Sequence, residues 1–295
     1  MKRSLFLVLL FLFPFLSTAQ QKENLRKDVC VLSSDSLEGR KVGTIGGEKA
    51  RGYICSQLRD ISLEYTTQVC HKGLGQNIIA EIKAETPKFK DEYILIGAHY
   101  DHLGVRNGKI YNGADDNASG SAVLLQLARL FKANKDKLDR NIILVWFDAE
   151  EIGLIGSKHF VKDSAYANKI GKIKLMINLD MVGWYKNGSL KISGVKMLRG
   201  WETIFKQTER KIHMSKIFIP NFSFDIVVDG IFSDTHLLLN NSSVISFVLS
   251  SFGFLFPFSY LVIVLLLHSP VNPNLSETLS CVISLNCLAN AILDP

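Results

Sequence analysis

The sequence predicts an α/β fold, a three-layer α/β/α sandwich built on a central mixed, mostly parallel sheet. Three observations carry that prediction. Short apolar runs at residues 93–98, 141–149 and 173–179 each stop abruptly on polar residues, as buried strands do when they deliver side chains at their carboxyl ends. Segments with helical apolar spacing lie between and around these runs, ready to cover both faces of a sheet. The length also suits one such sheet, since about 275 residues remain after an amino-terminal leader is set aside.

The leader comes first in the chain. Residues 1–19 carry Lys2 and Arg3, then an apolar core of about a dozen residues, then Ser17, Thr18 and Ala19 as a small-residue cleavage site. That core falls short of the ~20 residues of a spanning helix, so the segment reads as a signal peptide of an exported protein, secreted or periplasmic. Residues 20–295 then form a single domain. The whole chain has 34 basic and 28 acidic residues; without Lys2 and Arg3 the balance is 32 against 28, a formal +4. No concentrated basic run accompanies this mild excess, which argues against nucleic acid as a partner. Cys30, Cys55, Cys70, Cys281 and Cys287 lie at no metal-ligand spacing. An exported protein permits disulfides, but an odd count leaves at least one thiol over, and for most of the five a buried, reduced packing role stands level with a bridge.

Helical spacing covers residues 22–32 and 48–58, separated by a polar, glycine-rich loop at 33–47 that includes Leu37 to Arg40, LEGR. Arg40 is expected to form a salt bridge where the first helix ends. Strands follow at 65–70 and 77–83, and a charged turn at 85–92 leads into the first apolar run. That run ends on His99 and Asp101, and a loop then reaches Asp115, Asp116 and Asn117 ahead of an amphipathic helix at 119–131. The second run ends on Glu150 and Glu151, and the third on Asp180. Beyond them the pattern gives a strand at 190–193, a helix at 201–211, a strand at 244–249 and a closing helix at 276–293.

One histidine and several carboxylates at successive strand ends form a metal-ligand inventory, because neutral imidazole and carboxylate oxygen both suit zinc. The bland readings are helix caps for Asp115 to Asn117 and a solvated surface for the two glutamates. Four motifs in order, GAHYDH, NGADDNASG, AEEIGLIGS and NLDM, resemble the zinc-dependent aminopeptidases of peptidase family M28, densely over residues 32–184. The resemblance implies the zinc-peptidase type of α/β sheet and two Zn2+ ions. It makes Asp116 the carboxylate between the two metals, with the peptide bond that follows it often cis in the family. It further makes Glu151 a metal ligand and Glu150 the general base. Asp180 supplies the remaining carboxylate on the first metal, beside His99 and Asp116. Asp101, two residues beyond His99, is expected to accept the imidazole's other N–H and fix its tautomer, serving catalysis without binding metal. His102 is expected to face away, as the next side chain of an extended strand would, and is left outside the site.

The second metal needs one more histidine beside Asp116 and Glu151. His268, in His268-Ser269-Pro270, fits the family context better than His236 in SDTH. Between the strand at 244–249 and His268 lies an anomalous apolar segment, residues 252–267. Together residues 244–267 are 24 residues without a charge, long enough to span a bilayer. Gly253 and Pro257 interrupt the run, and a span just before His268 would tether the metal site, so a non-spanning segment is expected.

The functional expectation is an exported, zinc-dependent exopeptidase removing single amino-terminal residues from peptides. The alternatives are a single-zinc glutaminyl cyclase on a related sheet and a catalytically inactive peptidase-like binding domain. Side-chain preference depends on the divergent last third of the chain.

Overall fold

A computed structural model describes residues 20–70 and 73–183, and beyond them the backbones of three strands, Ser189–Ser193, Lys216–Phe218 and Ile245–Ser250. The leader at 1–19, the helices expected at 201–211 and 276–293, the apolar segment 252–267, His236 and His268 lie outside the described residues.

Helix α1 covers residues 20–32, and a 3-10 turn, Asp35–Arg40, leads to helix α2, Ile45–Asp60. The expected loop at 33–47 is therefore shorter than its polar composition suggested. Thr44 begins α2 early, its Oγ1 accepting the Gly47 N–H at 3.3 Å, a cap that satisfies one of the helix's free amides. Strands β1, Tyr65–Cys70, and β2, Gly75–Ile82, precede β3, Tyr93–His99. A small hairpin not expected from the sequence follows, β4, Gly104–Arg106, with β5, Lys109–Tyr111, turning on Asn107-Gly108 with both residues at positive φ. Asn-Gly is the commonest signature of such a turn, so the signal was present. Then come helix α3, Gly120–Ala133, β6, Asn141–Phe147, helices α4, Ile155–Lys162, and α5, Ser164–Ile170, and β7, Ile173–Asp180. The three further strands are β8, Ser189–Ser193, β9, Lys216–Phe218, and β10, Ile245–Ser250.

Eight strands form one mixed sheet in the order β1-β2-β6-β3-β7-β10-β8-β9. Its centre is parallel: β3 pairs in parallel with β6 and β7, and β10 with β7, while toward one margin β1 and β2 are antiparallel to each other and β2 to β6, and toward the other β8 is antiparallel to β10 and parallel to β9. Every residue of β6 is buried, as a strand covered on both faces requires. Its alternate residues divide between two cores. Ile142, Leu144 and Trp146 pack with Leu32 of α1, Ile54 and Leu58 of α2 and Leu124 of α3. Ile143, Val145 and Phe147 pack on the other face with Phe160 of α4, and Tyr166 and Ile170 of α5 close over them. Helices thus cover both faces, giving the three layers. Trp146 is fully buried, and its indole N–H donates to the Ser121 carbonyl at 3.1 Å, so the largest core side chain leaves no polar atom unpaired. Among the described residues no helix is long and apolar enough to cross a membrane, and Cys30, Cys55 and Cys70 are free thiols.

This topology positions the site. Because β6, β3 and β7 are parallel neighbours, the residues that follow Phe147, His99 and Leu179 emerge along one edge of the sheet.

Candidate metal centre

His99, 3% exposed, ends β3 with its Nε2 3.3 Å from Asp116 Oδ1 and 3.4 Å from Asp180 Oδ1. Two ligands at zinc bond lengths and a tetrahedral angle lie about 3.3–3.5 Å apart, so this spacing is that of donors around one ion. Asp180 Oδ1 is buried without a hydrogen-bond partner, an orphaned acceptor that a cation would satisfy. His99 Nδ1 lies 3.2 Å from the Asp101 carbonyl oxygen. Donating its N–H there leaves the Nε2 lone pair aimed at the aspartates, the tautomer a metal ligand needs. The sequence reading gave this task to the Asp101 carboxylate, which lies 3.6 Å away. That carboxylate is already occupied, accepting the amide N–H groups of Glu150 at 3.0 Å and Glu151 at 3.2 Å.

A second group shares Asp116. His102, Asp116 and Glu151 offer donor atoms within 4.8 Å of one another, as do His99, Asp116 and Asp180. Asp116 turns Oδ1 toward His99 and Oδ2 toward His102, whose Nδ1 is 4.0 Å away. His102 Nδ1 is also 2.5 Å from Glu151 Oε1, a direct hydrogen bond. The expectation that His102 faces away is corrected. Strand β3 ends at His99, so the alternation of an extended chain does not continue, and the His102 N–H donates instead to the Arg40 carbonyl at 3.2 Å.

The loop carrying Asp116 divides its roles residue by residue. Asp116 faces the histidines. Asn117, fully buried, donates to the Leu179 carbonyl at 2.8 Å and accepts the Gly120 N–H at 3.0 Å, which ties the end of β7 to the start of α3. Asp115 accepts the Gly183 N–H at 2.7 Å. The peptide bond between Asp116 and Asn117 is cis. Gly113 precedes the loop at φ +57, and a Cβ there would lie 2.2 Å from the Asp116 carbonyl oxygen and 2.5 Å from the His102 ring. Only glycine fits both the dihedral and the space.

Arg40 is the residue whose importance the sequence reading missed. It is fully buried, and among the described residues it forms no salt bridge; its guanidinium donates to main-chain carbonyls. These belong to Tyr100 at 2.9 Å, Leu32 and Asn112 at 2.5 Å each, and Gly113 at 2.9 Å, with Asp116 at 3.5 Å. Burial pushes the guanidinium down to about 10, against the opposing pull of Asp101, Asp116 and Glu151, so it stays charged at neutral pH. It therefore clamps the 112–116 loop onto the end of β3 and sets a positive charge behind three carboxylates.

The electrostatics follow the crowding. Burial alone would lower the His99 imidazole, but the negative charge of the Asp101, Asp116 and Asp180 carboxylates around it holds it well above its usual value. Burial would raise Asp116, yet its contact with His99, aided by His102 and Arg40, pulls it below the usual carboxylate range. Burial, reinforced by Asp180, Asp101 and Glu151 against the opposing charge of His99, pushes Glu150 up to about 7. Glu150 Oε2 is 4.0 Å from His99 Nε2, at the edge of the first group. Ala149, just before it, is at φ +58 and Met181, just after Asp180, at φ +50, so the backbone bends sharply beside both acids. Of the residues predicted for the site, His99, Asp101, Asp116, Glu150, Glu151 and Asp180 come together at this one edge, whereas His268 and its alternative His236 lie outside the described residues.

Known proteins share this arrangement of chain. Aminopeptidase YwaD of Bacillus subtilis is 33% identical over 174 residues, 57% of this chain and 35% of that protein, so the chain spans about a third of that relative's length. The crystal structure of the LapA aminopeptidase of Legionella pneumophila superimposes with a TM-score of 0.61 at 18% identity, over 93% of this chain and 71% of that one. A glutaminyl cyclase structure from an Acidobacteriales bacterium gives 0.56 at 18% identity over 78% of each chain, so likeness of fold does not separate the two enzymes. A family model decides membership: the one for Peptidase family M28 matches residues 77–235, more than half of the chain and every described acid and imidazole of the site, and the chain belongs to that family.

Proposed function

We propose that the protein is a zinc-dependent aminopeptidase that removes amino-terminal residues from peptides. One observation carries the reading: the two oxygens of Asp116 face two separate imidazole and carboxylate groups, which is how one carboxylate serves two ions. His99, Asp116 and Asp180 would hold the first ion, and Asp116, Glu151 and a further histidine the second. Zinc bound there would supply Lewis acidity, acidifying a water and polarising the scissile carbonyl. Glu150, free of ligand duty, would take the proton of the attacking water and pass it to the departing amine nitrogen. Asp101 would hold Glu150 and Glu151 in register through their amides, and Arg40 would keep the Asp116 loop in place. A two-ion set supports the aminopeptidase reading over a single-zinc cyclase. On the sequence reading of residues 1–19 the enzyme would act outside the cytoplasm.

The test is hydrolysis of aminoacyl 4-nitroanilides by the full chain. Activity should be abolished by a chelator and restored by zinc, with two zinc ions per chain. Cyclisation of amino-terminal glutamine with a single zinc would establish the alternative, and zinc binding without turnover would make the protein a binding domain.

A further inference from the structure

Resting on that reading, we infer that the β4-β5 hairpin carries a subsite for a carboxylate of the peptide substrate, formed by Lys41, Arg106, Lys109 and Tyr111 on one face of the hairpin. The hairpin is rooted beside the metal centre at both ends. Its first residue, Gly104, follows His102 by two positions, and its last, Tyr111, precedes Asp116 by five. In the antiparallel register Gly104 stands opposite Tyr111, and Arg106 opposite Lys109. Opposed residues share a face, as do residues two apart along one strand, so Arg106, Lys109 and Tyr111 point the same way. The Arg106 guanidinium carbon lies 5.9 Å and Lys109 Nζ 5.8 Å from the centre of the Tyr111 ring. The bare face of Gly104 shows what lies beside them: a Cβ there would be 2.7 Å from Lys41 Cβ and 3.1 Å from Lys41 Cδ.

Three cations thus gather around one aromatic ring. Like charges set directly opposite each other weaken a strand pair, and an anion between them would offset that cost. Among the described residues none of the three forms an ion pair, whereas the exposed Lys49, Lys88 and Lys172 each lie against an acid. The base of the hairpin is fixed. Gly39, at φ +69, packs so closely that a Cβ would lie 2.5 Å from the Tyr111 carbonyl oxygen and 2.7 Å from that of Gly104. Donors held in place in this way bind without a further ordering cost. A carboxylate is the anion a peptide supplies, and guanidinium and ammonium groups carry only donors to meet it. Arg106 follows His102 by four residues, so at most about 14 Å of chain separates them, a distance an extended peptide covers in about four residues. The subsite therefore reads a carboxylate a few residues past the scissile bond, either an acidic side chain or the carboxyl terminus of a short peptide.

The experiment measures kcat/KM of the full zinc-loaded chain on two sets of peptides. One set is carboxyl-amidated and places glutamate, glutamine or lysine at a single downstream position; the other compares short alanine peptides as free acid and as amide. The wild type should favour the acidic member about 10-fold, the sum of a few exposed charge pairs. The gain should lie in KM with kcat unchanged, since the contact is made equally before and during reaction, and it should shrink as salt is raised. The set that shows it tells side chain from chain terminus. In Arg106→Gln/Lys109→Gln the preference should vanish, and in Arg106→Glu/Lys109→Glu it should pass to the lysine peptide. Each preference is a ratio within one protein, so a loss of folded enzyme cancels. No preference in either set with the wild type, or one that both double variants retain, would overturn the subsite. If no peptide is hydrolysed at all, the peptidase reading fails instead, and calorimetric binding of the same peptides decides the subsite by the same ratio.

Discussion

The Asp101 carboxylate accepts the main-chain N–H of Glu150 at 3.0 Å, and through its other oxygen that of Glu151 at 3.2 Å. A residue just past the end of β3 thus fixes the turn after β6. It is fully buried, so neither bond competes with water. In Asp101→Asn only one acceptor oxygen remains, and the new NH2 faces an amide donor. We expect kcat/KM to fall about 10–100-fold with unchanged circular dichroism, as for other groups that orient a metal centre without touching the ion. Activity unaffected by Asp101→Asn would remove the stapling role.

Glu150→Gln should behave differently. The amide keeps the size of the side chain and its main-chain bond to Asp101 but cannot take a proton. Turnover should drop by about 10²–10⁴ while zinc content stays at the wild-type value. A variant that loses metal together with activity would instead make Glu150 a ligand.

How much of this was legible beforehand follows from local physics. Strands β3, β6 and β7 are buried on both faces, so they read as continuous apolar runs, and the polar residues closing them are the site itself. His102 was misplaced because alternation was carried past His99, where the strand has ended and Tyr100 N–H bonds the Phe147 carbonyl while Asp101 turns toward Glu150. Arg40 was undervalued for a different reason. Its partners are carbonyl oxygens of Leu32, Tyr100, Asn112 and Gly113, and backbone acceptors leave no trace in side-chain identity.

Those carbonyls make Arg40 a stability residue as well. Arg40→Ala leaves several buried acceptors without donors, and unsatisfied buried groups cost about 1–3 kcal/mol each before water enters to offset them. We expect a loss of about 3–5 kcal/mol in urea unfolding. Arg40→Lys keeps the charge but cannot span acceptors on three segments of chain, so it should recover less than half of that loss. Recovery to wild type by lysine would mean that charge, and not the fork of donors, is what the fold uses.

Metal removal should reach stability too. With no cation, Asp116, Glu150, Glu151 and Asp180 crowd around two imidazoles, and Asp180 Oδ1 has no hydrogen-bond partner. An ion that binds only the folded chain stabilises it by about 2.7 kcal/mol at a hundredfold excess over Kd. For a domain of this size that is a rise on the order of 5–10 °C in Tm when zinc replaces a chelator. An unchanged Tm would contradict zinc binding at these residues.

Asp148 gives a pH dependence distinct from the metal centre. It is 4% exposed, its Oδ2 accepting from the Gln76 N–H at 2.9 Å and the Tyr100 hydroxyl at 2.7 Å, its Oδ1 from the Ala149 N–H at 2.9 Å. Burial, with the nearby Asp101 charge, still pushes it up to about 6. The folded chain therefore holds this proton more tightly than the unfolded chain does. Its contribution to stability is fully present below the ordinary carboxylate pKa of about 4 and is lost as pH rises to about 6, a span worth on the order of 2–3 kcal/mol. Asp148→Asn cannot ionise, so the wild type should lose stability relative to the variant between pH 4 and pH 7, whatever constant cost the amide brings. Urea unfolding across that range, in chelator so that metal binding does not enter, reads the difference directly. Parallel stability curves for the two proteins would show that Asp148 folds with its carboxylate as readily charged as it is in water.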